Sequence, residues 1–127
     1  MRLAGAKNYK DYSLKILKIC KKKPISFEVF VDYHKEMLEQ AYKINKWSKN
    51  VYVKIPVVNS KGVFSGKVIK ELSDKGIKLN ITAVYTFDQT LKIFNCLNKK
   101  SRSIISIFAG RMADKGKDPL PIFKKSI

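Results

Sequence analysis

Arginine and acidic residues are both scarce in this chain. Arg2, Arg102 and Arg111 are its arginines, Asp and Glu together number 10 against 27 Lys and Arg, and the formal net charge is +17. Base-reading and phosphate-clamping surfaces exploit arginine's planar fork, so a charge carried almost wholly by lysine does not predict a sequence-reading surface. The lysines occur in every segment, and Lys21-Lys22-Lys23 is the one run of three. Heavy joint use of Lys, Ile and Asn fits codon bias in an AT-rich genome better than a designed patch. A nucleic-acid role is therefore not expected, since net charge speaks to non-specific attraction. An anionic small molecule would be favoured by the same field.

Other scarcities exclude further classes. Cys20 and Cys96 lie in separate amphipathic segments without metal-type spacing, so neither a disulfide framework nor a metal centre is expected. Free thiols in a reducing compartment make the cytoplasm the default location. No apolar stretch approaches the roughly 20 residues of a membrane span. Met1-Arg2-Leu3-Ala4-Gly5-Ala6-Lys7 lacks the apolar core of a signal peptide. There is no Gly-x-Gly-x-x-Gly turn and no P-loop, which weakens any dinucleotide or nucleotide reading.

What is present is a globular pattern. The 127 residues are 45% hydrophobic, enough for one domain with a real core. Residues 11–22 place Tyr12, Ile16, Leu17, Ile19 and Cys20 on one helical stripe, which Pro24 ends. Ile25 to Val31 reads as a strand, and Asp32 as the cap of a helix carrying Met37, Leu38, Ala41, Ile44 and Trp47. Val51 to Val57 is a second strand. A turn-rich loop, Asn59 to Gly66, leads to a helix over about 66–75 that Gly76 should terminate in a left-handed conformation. Ile77 to Tyr85 is the third strand. Thr86 and Gln89 fit a capping box, and the helix they open runs to about Leu97. Ser103 to Ala109 is the fourth strand, and Pro119 opens a last helix. This alternation predicts an α/β domain of four βα units with a parallel sheet, spanning 1–127 with no linker.

Lys54 stands alone inside Val51-Tyr52-Val53-Lys54-Ile55-Pro56-Val57. A strand buried on both faces reads as a continuous apolar run, so an ammonium there needs an explanation. Burial disfavours the charged form, lowers a lysine's pKa, and leaves an amine able to attack a carbonyl. The plainer alternative is an edge-strand lysine snorkelling to water. The other strands carry polar groups as well: Glu28, Asn80 with Thr82, and Ser106, with Arg111 just past the last strand. In a parallel barrel, several strands contribute to one site at their C-terminal ends. The set suits carbonyl chemistry on a phosphorylated sugar. The amine forms an imine, the carboxylate relays protons, the amide and hydroxyls bind sugar hydroxyls, and the guanidinium clamps a phosphate.

Asn50-Val51-Tyr52-Val53-Lys54-Ile55-Pro56, Gly76-Ile77-Lys78-Leu79-Asn80-Ile81-Thr82-Ala83 and Ser106-Ile107-Phe108-Ala109-Gly110-Arg111 resemble the transaldolase family. There V-K-I-P holds the Schiff-base lysine on the fourth strand of the barrel. G-I-x-x-N-x-T marks the fifth strand and S-x-F-x-G-R the sixth. Pro24-Ile25-Ser26-Phe27-Glu28-Val29 resembles the third. The resemblance implies Lys54 as nucleophile, Glu28 as acid/base partner through water, and Thr82 as a positioner of that water. It implies Asn80 and Ser106 at donor hydroxyls and Arg111 at the sugar phosphate.

The activity implied is transfer of a dihydroxyacetone unit between sugar phosphates in the pentose phosphate pathway, with no metal or organic cofactor. The match covers strands three to six of a (β/α)8 barrel, with Met1 to Gly5 similar to text that follows the family's second strand. Nothing here matches the family's acid/base aspartate on the first strand or its donor-site asparagine on the second. The resemblance therefore implies a partial barrel, which is a truncated product or a piece of a longer reading frame, or else is completed by a second half-barrel chain or by a homodimer. The alternative is an inactive remnant that binds sugar phosphates, other polyanions or a partner subunit.

Overall fold

The computed structural model describes residues 8–127; Met1 to Gly5 lie outside them. In chain order the elements are α1 (Tyr9–Ile19), β1 (Ile25–Glu28), α2 (His34–Asn45), β2 (Val51–Pro56) and α3 (Gly66–Asp74). They continue as β3 (Leu79–Val84), α4 (Phe87–Cys96), β4 (Ser103–Ile107), α5 (Ala109–Ala113) and α6 (Leu120–Ser126). The four strands form one sheet in the order β1-β2-β3-β4, every neighbouring pair parallel. This is the α/β architecture of four successive βα units, consistent with part of a TIM-type barrel.

One face of the sheet is buried and the other half-open. On the buried face Val51, Val53, Ile55 and Val57 alternate at 0% exposure, and Leu79, Ile81 and Val84 continue the layer. Val68, Ile69 and Leu72 of α3 and Ile93 of α4 cover them. On the opposite face Tyr52, Lys54, Pro56, Asn80 and Thr82 are only partly covered. The apolar run around Lys54 fits a strand buried on both faces or one with a face open to water. The alternation of buried and half-exposed residues along β2 shows one buried face.

Local signals position these elements. Thr86 Oγ1 accepts from the Gln89 backbone N–H at 3.1 Å, and the Gln89 side chain accepts from the Thr86 N–H at 3.2 Å, closing the capping box of α4. Gly76, at φ +72°, ends α3, with its N–H on the Ser73 carbonyl and that of Ile77 on Leu72. Asp32 does not cap α2, whose N-cap residue is Tyr33. Its carboxylate accepts instead from the Ser60 N–H at 3.0 Å and the Ser60 hydroxyl at 2.6 Å, pinning the loop after β2. These bonds hold the Asp32 carboxyl below its ordinary pKa. Ile19 leaves the expected stripe, 84% exposed at the last residue of α1, while Leu17 is buried.

β3 contains a bulge. Its register against β4 shifts between Ile81 and Val84, and Ala83 between them has φ +58°. The extra residue keeps Thr82 on the half-open face while Val84 returns to the buried one. A left-handed alanine costs about 1–2 kcal/mol that glycine avoids. Ala83→Gly is expected to leave urea stability within about 0.5 kcal/mol, glycine's backbone entropy offsetting the relieved strain. Ala83→Val places a β-branched side chain at this φ and should cost more than about 2 kcal/mol. Equal midpoints for the two variants would contradict the strained backbone.

Candidate active site

The parallel register brings the polar strand residues into rows. Glu28 is level with Lys54, Lys54 with Asn80, and Pro56 with Thr82. Because side chains alternate between faces, residues level across parallel strands project to the same face. Four of the predicted site residues form two neighbouring contacts there. Lys54 Nζ lies 3.3 Å from Glu28 Oε2. The Ser106 hydroxyl donates to Asn80 Oδ1 at 2.7 Å, and Asn80 Nδ2 donates to Ser26 Oγ at 3.0 Å.

The sequence leaves Lys54 between a buried amine and one reaching water, and the structure favours the second. The Lys54 and Glu28 side chains each keep 35% exposure, since no layer covers this face among the described residues. Thr82 shares the face by register. Arg111 sits apart on α5, exposed, with its guanidinium carbon 5.9 Å from the centroid of the Phe108 ring. The stacked ring orients a planar cation at the C-terminal end of the sheet.

Ser26 and Tyr9 were missed in the sequence. Ser26 had a signal, since it shares the parity of Glu28 on the same strand. Tyr9 had none, because its role depends on α1 folding against the outer edge of β1. Its hydroxyl accepts the Glu28 N–H at 2.9 Å and donates to the Glu28 carbonyl at 3.3 Å. Gln40 Oε1 accepts the next outward N–H, that of Phe30, at 2.9 Å. Two side chains thus occupy the positions that a strand beside β1 would fill, and they fix the backbone that carries Glu28.

Burial pushes the Tyr9 phenol above its ordinary pKa of 10.0. The folded state's stability from this group is fully present below that pH and falls as pH rises through the raised value. Tyr9→Phe leaves the Glu28 N–H without its acceptor and should cost about 1–3 kcal/mol. Amide exchange at Glu28 should accelerate selectively. Unchanged exchange at Glu28 would rule out this clamp.

A cavity of about 760 Å³ lies between α1 and α2, lined by Tyr9, Leu14, Phe30, Ile44 and Trp47 among others. It holds none of the predicted site residues, so chemistry and not volume identifies the candidate site. Among the described residues no cluster of His, Cys, Asp and Glu has metal-holding geometry, and no helix is long and apolar enough to cross a membrane.

Residues 9–126 match the family model described as Transaldolase/Fructose-6-phosphate aldolase. A probable transaldolase of Herpetosiphon aurantiacus is 30% identical over 120 residues, which are 94% of this chain and 50% of the relative. One from Clostridioides difficile is 35% identical over 104 residues, 82% of this chain and 44% of the relative. One from Streptococcus equi subsp. zooepidemicus is 38% identical over 112 residues, 87% of this chain and 49% of the relative. The chain spans about half the length of these curated relatives. It belongs to the transaldolase/fructose-6-phosphate aldolase family.

Proposed function

We propose that this chain carries the Schiff-base half of a transaldolase-type site, with Lys54 as the nucleophile. The observation that carries the reading is the Lys54–Glu28 contact of 3.3 Å on the half-open face, flanked by the Ser26–Asn80–Ser106 network. In this reading the Lys54 amine attacks the C2 carbonyl of a ketose phosphate and forms a carbinolamine. Loss of its hydroxyl as water gives the iminium, with Glu28 moving the protons through a water that Thr82 helps to hold. Asn80 and Ser106 bind donor hydroxyls. Arg111 binds the phosphate bidentately.

The iminium then accepts the electron pair of the C3–C4 bond as the C4 hydroxyl loses its proton. An aldose phosphate departs, and the dihydroxyacetone unit stays on Lys54 as an enamine until it adds to a second aldose phosphate. Hydrolysis returns the amine. The proton acceptor for cleavage is expected from strands that complete the barrel, supplied by a second half-barrel chain or a second copy. The two edges of the sheet differ in what such a completion would meet. Among the described residues β4 has a strand neighbour on one side only, with Ile104 and Phe108 exposed, whereas Tyr9 and Gln40 take the outward N–H groups of Glu28 and Phe30 beside β1. The pathway would be the non-oxidative pentose phosphate route, in the cytoplasm.

Incubation with fructose 6-phosphate followed by borohydride should add a reduced sugar unit at Lys54, located by peptide mass spectrometry. An adduct absent both from the chain alone and from the chain with a complementing half would refute the reading.

A further inference from the structure

The lysines that look evenly scattered in sequence are concentrated by the fold. Each helix runs antiparallel to the strand it precedes, so the four segments entering β1, β2, β3 and β4 gather at the N-terminal end of the sheet. This is the end opposite the loops that follow the strands. Lys21, Lys22 and Lys23 lead into β1, and Lys46 and Lys49 into β2. Lys78 leads into β3, and Lys99, Lys100 and Arg102 into β4. All are exposed except the half-buried Lys78. No acidic residue occurs in 20–24, 46–50, 75–78 or 97–102. The nearest carboxylates are already engaged, Glu71 by Lys75 and Tyr42, and Asp74 by Lys70 and Asn98. None of the nine basic residues named forms an ion pair among the described residues.

This floor is also rigid. Asn50 Nδ2 donates to the Cys20 and Lys23 carbonyls, tying the first segment to the second. The Lys78 ammonium donates to the Lys49 carbonyl and lies 5.5 Å from the Tyr52 ring centroid, tying the second to the third. The Ser101 hydroxyl donates to the Ile77 carbonyl at 3.0 Å, tying the third to the fourth. Between the second and third segments lies a cavity of about 440 Å³ lined by Asn45, Lys46, Ser48, Lys49 and Lys78. Lysines near helix C-termini also complement the helix dipoles, but that effect falls off beyond the last turn, and most of these residues lie past the ends of the helices. The like charges held here repel one another without an anion.

We propose that this floor is a sequence-independent binding surface for the phosphate backbone of a nucleic acid, separate from the Lys54 site. The sheet sets the spacing. Adjacent strands lie about 4.8 Å apart, so the four segments make a cationic row of the right scale to follow several consecutive phosphates. Lysine, a point charge, suits phosphate attraction without base reading. A membrane surface would call for a cluster of inserted apolar side chains, whereas Ile19 and Phe94 in the last turns of α1 and α4 and Ile104 at the start of β4 are exposed one to a segment. An acidic protein would call for an apolar anchor at the centre of the patch, where lysines stand instead.

The test is fluorescence anisotropy of the full chain with a labelled 20-mer of single-stranded RNA, titrated with salt. Two variants of equal net charge are compared: Lys21→Gln/Lys22→Gln/Lys23→Gln on the floor and Lys15→Gln/Lys35→Gln/Lys67→Gln on the helices. The floor variant should bind at least about tenfold more weakly at 100 mM salt, with a slope of log K against log salt shallower by about 0.7 for each phosphate no longer neutralised. The helix variant should stay within about threefold of the parent. Lys54→Met should bind like the parent, which separates this result from any failure at the catalytic lysine. Equal weakening in the two triple variants would overturn the proposal in favour of bulk charge. So would capture by phosphatidylserine vesicles without RNA binding, which would assign the floor to a membrane.

Discussion

Lys54→Met should abolish the borohydride-trapped sugar adduct, because methionine keeps the packing volume and removes the amine that forms the imine. The expected loss is complete, whereas changes around the lysine should be graded. Glu28→Gln retains the amine and removes the carboxylate 3.3 Å away, so the adduct should still form, more slowly by about 10²–10⁴-fold. Asn80→Ala removes the amide that bridges Ser26 and Ser106 and should chiefly raise the sugar concentration needed for half-trapping. The contrast distinguishes a nucleophile from a surface lysine that happens to be glycated. A surface amine would react irrespective of Glu28 and of sugar stereochemistry. Persistence of the adduct in Lys54→Met, located at another lysine, would remove Lys54 from the mechanism.

The candidate site was legible in sequence to the extent that strand parity decides it. Glu28, Lys54, Asn80, Thr82 and Ser106 sit on strands whose apolar neighbours define the buried face, and parallel pairing then places them together. Parity alone did not say whether the second face was covered. A continuous run such as Val51 to Val57 reads the same in a two-faced core and in a half-open sheet, because Tyr52 and Pro56 are apolar yet only partly covered.

Interactions between distant segments were not legible. Nothing local marks Tyr9 as the hydrogen-bonding partner of Glu28, 19 residues away, or Asp32 as the clamp on Ser60, 28 residues away. The clustering of Lys21 to Lys23 with Lys99, Lys100 and Arg102 likewise exists only once every helix has returned the chain to the same end of the sheet. Capping signals such as Thr86 with Gln89 and Gly76 were legible because both partners lie within one turn.

Ile81→Ala and Ile104→Ala should differ sharply, although both truncate an isoleucine on a strand of the same sheet. Ile81 has 0% exposure beneath the helices, so the truncation removes transfer energy and leaves a cavity, costing about 2–5 kcal/mol. Ile104 is 41% exposed, and removing it should cost less than about 1 kcal/mol in the isolated chain, in proportion to the smaller area it keeps from water. Against a typical total of about 5–15 kcal/mol, the first change should shift the urea midpoint far and the second hardly at all. The comparison tests which layer holds the chain together. If copies of the chain covered the half-open face in solution, Ile104 would be buried, its truncation would approach the cost at Ile81, and the midpoint would rise with protein concentration. A small, concentration-independent effect at Ile104 is the expected result. It would place the stability of this chain in the helix-covered layer and leave the Lys54 face free for substrate or for the strands that complete the barrel.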